Sequence, residues 1–153
     1  MRTEISAAIR RTEGWGTWEL NISHPSVNPE AITSVMNLVP DVAHKIGDPV
    51  VSKIGRASGS THTWSRWIYR IPFDEGENAQ SQFTDLVDRI SQKSDELNEL
   101  LGLEGERSVF ARASNCECAM TMVSSGLLLA LAQSNIEFGF EFLQGQVKSD
   151  ASA

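Results

Sequence analysis

The 153 residues carry a net charge of −7, with 41% apolar and 22% charged side chains, the balance of a globular domain that can bury a sizeable core. Residues 1–75 hold eight acidic and eight basic side chains, whereas residues 76–153 hold twelve acidic and five basic ones. That excess argues against nucleic acid, which needs a basic patch, and suits either a basic partner or plain solubility. No apolar run approaches a bilayer span, the longest being Leu127–Ala132, and MRTEISAAIRR has no apolar signal core. The expectation is one cytoplasmic domain over residues 1–145 and a flexible polar tail over 146–153, with no membrane partner.

Glu4–Arg10 alternates loosely enough for a strand, Gly14-Trp15-Gly16 reads as a turn, and Thr17–Ser23 is a second strand. In that strand Trp18, Leu20 and Ile22 face one way, with Glu19 and Asn21 facing the other. Together the two predict a hairpin, ended by His24-Pro25. A helix follows from Asn28: an N-cap oxygen, Pro29 at the first position, Glu30 at the positive end of the dipole, and Ile32, Val35 and Met36 on one face. Pro40 stops it. Val42–Ile46 suits a short edge strand, and residues 47–61, rich in glycine and serine, read as a loop with Lys53 and Arg56.

His62–Ile71 is a central strand, with Trp67, Tyr69 and Ile71 on one face and Trp64, Ile68, Arg66 and Arg70 on the other. Trp64 is expected in the core. Phe73–Gln80 is a polar connector. Phe83–Leu101 has an apolar stripe of period 3.6, interrupted at Lys93-Ser94 where a bend is expected, and Gly102 stops it. Ser108–Ala113 and Cys116–Val123 read as strands joined at Ser114-Asn115. Ser124 or Ser125 caps a helix through Gln133, Asn135 ends it in a left-handed conformation, and Ile136–Phe142 alternates as a last strand. The order predicts an α+β two-layer sandwich, a largely antiparallel sheet covered by helices, with ferredoxin-like strand–helix–strand units.

Roughly residues 17–143 resemble the bacterial domain-of-unknown-function family numbered 4279. The resemblance rests on Pro29-Glu30-Ala31-Ile32 at a helix start, Leu38-Val39-Pro40 at its exit, the Gly47-Asp48 turn and Trp64. It continues through the long helix before Leu101 to the closing helix–strand pair ending in Phe140–Leu143. The chain departs from the pattern at Met36-Asn37, where the family usually has leucine-glycine, and in lacking a tryptophan near His44. The family implies no reaction. Some members resemble immunity proteins encoded beside toxins.

Chemistry-bearing patterns are sparse. Cys116 and Cys118 point the same way on a strand about 7 Å apart, beside Met120 and Met122, and read as core thiols rather than as a metal site or a nucleophile. Asp74, Glu75 and Glu77 match no calcium loop and read as a solvated connector. There is no phosphate-cradling glycine loop, no G-x-S-x-G and no H-E-x-x-H, which lowers the case for an enzyme, and no cofactor or metal is implied.

Three readings remain. The first is a protein-binding module, an immunity protein that neutralises a basic toxin domain through Asp85, Asp88, Asp95, Glu96 and Glu99, with Trp15 at a turn tip as an anchor. The second is a small enzyme or ligand-binding protein using His44, Asp48 and His62 around the 47–61 loop. The third is a homo-oligomer joined at a sheet edge, so monomer and homodimer stay open.

Overall fold

A computed structural model describes residues 15–73, 77–114 and 123–143. Its elements are β1 (Trp15–His24), α1 (Pro29–Met36), β2 (Val42–His44), β3 (Pro49–Val51), β4 (Ala57–Thr61), β5 (Ser65–Phe73), α2 (Glu77–Gln92), α3 (Ser94–Leu101), β6 (Glu106–Ser114), α4 (Ser125–Gln133) and β7 (Glu137–Leu143). Five strands form one sheet in the order β2-β5-β1-β6-β7, and β3 and β4 form a separate pair. Three of the four pairings in the large sheet are antiparallel, and β6–β7 is parallel. The fold is α+β.

β5 and β6 both run antiparallel to β1, so they are parallel to each other with β1 between them. The helix pair α2–α3 joins them as a split strand–helix–strand unit, and β6–α4–β7 is a second, unsplit one. β1 is therefore the central strand, and both of its edges are taken. The Glu4–Arg10 segment of the expected hairpin with Thr17–Ser23 cannot be placed on either edge from the described residues. Residues 4–10 lie outside the described set, as do Cys116, Cys118 and the body of the expected Cys116–Val123 strand.

The alternation of β1 puts Trp18, Leu20 and Ile22 under the helices. They meet Ile32 and Met36 of α1, Phe83, Val87 and Ile90 of α2, Leu97 of α3 and Leu131 of α4 in one core. Two tryptophans tie the layers together by hydrogen bonds. Trp18 Nε1 donates to the Ala79 carbonyl at 2.8 Å, and Trp67 Nε1 to Thr33 Oγ1 at 2.9 Å. The opposite sheet face carries no helix among the described residues, as a mostly antiparallel sheet permits.

α1 is capped as its sequence predicts, Asn28 Oδ1 accepting the Glu30 N–H at 3.1 Å with Pro29 behind it. Its far end explains the Met36-Asn37 departure. Asn37 sits at φ 52, ψ 43, the left-handed cap conformation that glycine usually fills and asparagine tolerates. The single long helix expected over Phe83–Leu101 is two. The chain breaks at Lys93, φ −108 and ψ 8, where the apolar stripe is interrupted, and α2 begins at Glu77, inside the expected connector.

Other expectations are corrected. Trp15 and Gly16 belong to β1 rather than to a turn, because pairing with β6 extends the strand to Trp15 and pairing with β5 reaches Gly16; the Trp15 side chain lies outside the described set. Residues 47–61 are not an irregular loop but hold the β3–β4 pair. Trp64 is not core: it is 42% exposed, since it precedes β5 rather than lying within it. Phe140, which shares a strand face with Ile136 and Phe138 by alternation, is nonetheless 52% exposed.

Candidate functional site

Asp85 and Asp88 on α2, and Asp95, Glu96 and Glu99 on α3, are all exposed. They occupy the positions that the core stripe of Phe83, Leu86, Val87, Ile90, Leu97 and Leu101 leaves outward, so burial of one helical face fixes the exposure of the other. Glu96 pairs with Lys93 at 2.9 Å. Among the described residues, Asp85, Asp88, Asp95 and Glu99 are in no ion pair. Beside Asp85 and Arg89 opens a shallow groove of about 170 Å³ walled by Leu38, Tyr69, Ile71 and Leu86. The helical layer thus presents carboxylates that are in no ion pair among the described residues, one of which, Asp85, borders a small recess with Arg89.

The second constellation gathers at the root of the β3–β4 pair. The His44 and His62 rings stack with centroids 3.5 Å apart and planes 17° from parallel. The Gly47 N–H donates to the His62 carbonyl, and the His62 N–H to the Asp48 carbonyl, both at 2.8 Å. Asp48 Oδ2 accepts the Lys45 N–H at 2.7 Å, so its carboxylate shapes the turn. Burial, then His62 and Arg66, push the His44 pKa below its ordinary 6.5, against an opposing pull from Asp48. The three residues do converge, but as a clasp under a hairpin. Among the described residues no three His, Cys, Asp or Glu side chains are grouped to hold a metal ion.

His24 is likewise structural. Its Nδ1 accepts the backbone N–H groups of Ser26 and Val27, at 3.1 and 3.0 Å, so the proton sits on Nε2, which donates to the Leu101 carbonyl at 3.1 Å. Buried Arg107 closes the same end of the fold, donating to Asn98 Oδ1 and the Gly102 carbonyl at 2.6 Å and to the Ser134 carbonyl at 3.2 Å.

Sequence reasoning passed over the open sheet face. Glu19 points away from the helices yet is fully buried, because arginines on the neighbouring strands fold over it: Arg70 Nε lies 2.8 Å and Arg112 Nη1 3.3 Å from Glu19 Oε2. Arg112 reaches on to Glu141, 2.7 Å from Nε, and Asp41 Oδ2 accepts the Arg70 N–H at 2.7 Å. Glu19 Oε1 has no hydrogen-bond partner among the described residues. The sequence signal was a lone acid in a strand with arginines on two others, which only the register brings together.

Residues 15–144 match the family described as a domain of unknown function, DUF4279. The chain belongs to that family. No curated protein and no solved structure matches the chain. Among the residues that carried the DUF4279 resemblance, Pro29 opens α1 and Gly47-Asp48 turns the chain under the His44–His62 stack. These roles shape the fold, and none supplies a reacting group. No helix among the described residues is long and apolar enough to cross a membrane.

Proposed function

We propose that this DUF4279 domain is a cytoplasmic protein-binding module, an immunity protein that neutralises a basic toxin domain by covering it with the outer face of α2 and α3. One observation carries the reading: Asp85, Asp88, Asp95 and Glu99 stand exposed on the helical layer and, among the described residues, are in no ion pair. Four unpaired carboxylates repel one another and contribute nothing to the core, while they raise the encounter rate of a positively charged partner. The groove between Leu38 and Leu86, bordered by Asp85 and Arg89, offers an apolar contact beside the first of these carboxylates.

The test is capture of the partner by the full chain, followed by stopped-flow association at increasing salt. The reading expects a basic partner, an association rate that falls at least tenfold from 20 to 200 mM salt, and a similar loss in Asp85→Lys/Asp88→Lys/Glu99→Lys. A rate indifferent to both salt and charge reversal would remove the reading.

A further inference from the structure

The open face of the sheet holds a cleft of about 560 Å³ at the His24 end of β1, a volume typical of small-ligand sites. Its floor and walls follow from the register. Ser23 on β1 lies between Arg66 on β5 and Glu106 on β6, and Asn21 on β1 lies opposite Ser108 on β6, whose other neighbour is Glu137 on β7. The cation therefore stands on one wall, the two carboxylates on the other, and small uncharged polar side chains between them. None of these six side chains is in a hydrogen bond or ion pair among the described residues. Arg107 also borders the cleft, but its guanidinium is turned to Asn98, Gly102 and Ser134, to which it donates three hydrogen bonds. Phe110 closes the upper end. Its ring is seated over Gly139, where a Cβ would lie 2.6 Å from Phe110 Cε1.

We propose that this cleft binds a short peptide with free termini, its carboxylate on Arg66 and its ammonium between Glu106 and Glu137. Adjacent strands lie about 4.8 Å apart, so the backbones of Arg66 and Glu106 are about 10 Å apart across β1. Three extended residues span about that distance. A guanidinium grips a carboxylate in a fork, and two carboxylates accept from an ammonium. The amide of Asn21 and the hydroxyls of Ser23 and Ser108 both donate and accept, as peptide bonds require of a floor. The site lies across the sheet from the acidic helical layer, so it is independent of the partner proposed above.

The experiment is calorimetric titration of the full chain with trialanine, its N-acetyl form, its C-terminal amide and, separately, maltotriose. The proposal expects trialanine to bind, the acetylated and amidated forms to bind at least tenfold more weakly, and Arg66→Gln and Glu106→Gln/Glu137→Gln to reproduce those two losses respectively. Thermal melts of the variants, matching the parent, exclude misfolding. No heat from trialanine at 10 mM, equal binding of the blocked forms, or binding of maltotriose alone would overturn the proposal.

Discussion

On the open face of the sheet, Glu19 is sealed between Arg70 and Arg112, and Arg112 continues to Glu141. On the outer face of α2 and α3, Asp85, Asp88, Asp95 and Glu99 are exposed and, among the described residues, in no ion pair, with Arg89 one turn along from Asp85. The same residue types serve two ends. A carboxylate enclosed by cations from neighbouring strands specifies register, because a slip by one residue would expel it to the other face and leave the charge unmatched. A carboxylate left unpaired on a helix does nothing for the fold and is available to a partner. The sheet face itself divides in the same way, ion-paired around Glu19 and, among the described residues, without ion pairs around Arg66, Glu106 and Glu137.

The largest effect should come from breaking the sealed side. Glu19→Ala leaves two arginines facing each other over an empty site and should cost about 3 kcal/mol in urea denaturation, with the parent m-value retained. Gly105→Ala comes next. Gly105 sits at φ +84, and an added Cβ would lie 2.5 Å from the Ser23 carbonyl oxygen, so the β6 entrance must shift at a cost of about 2 kcal/mol. The unpaired side should respond oppositely: Asp88→Lys should change stability by less than about 0.5 kcal/mol, because the side chain touches nothing the fold needs.

The smallest effect concerns pH. The His44 pKa is lowered in the folded protein, so the unfolded chain takes up its proton first as pH falls. Stability should therefore decline as pH drops through and below 6.5, where a second positive charge against His62 and Arg66 is resisted. His44→Phe keeps a ring on His62 and should flatten that slope in thermal melts between pH 7.5 and 5.5.

Much of this was legible in the sequence where one element dictates its own pattern. The alternation of Trp18, Leu20 and Ile22, the cap at Asn28-Pro29 and the outward carboxylates of α2 and α3 all follow from local periodicity. The Lys93-Ser94 interruption foretold a bend and became a break. What stayed hidden depends on register between distant segments. Glu19 looked like an ordinary outward acid until β5 and β6 brought arginines to it, and Arg66, Ser23 and Glu106 share a row only because β1 is central. Trp64 misled because tryptophan has the same strand preference one residue before a strand as within it. The Gly47–Thr61 stretch misled because its glycines, at positive φ, shape hairpin turns as readily as irregular loops.

The most direct test of the protein-binding account is a backbone chemical-shift map of the isotopically labelled chain as its captured partner is added. The account expects the perturbed amides to cluster at Asp85, Asp88, Asp95 and Glu99, with those of Asn21, Ser23 and Ser108 unmoved. Perturbation confined to the open sheet face or to the β3–β4 pair, with α2 and α3 silent, would contradict it.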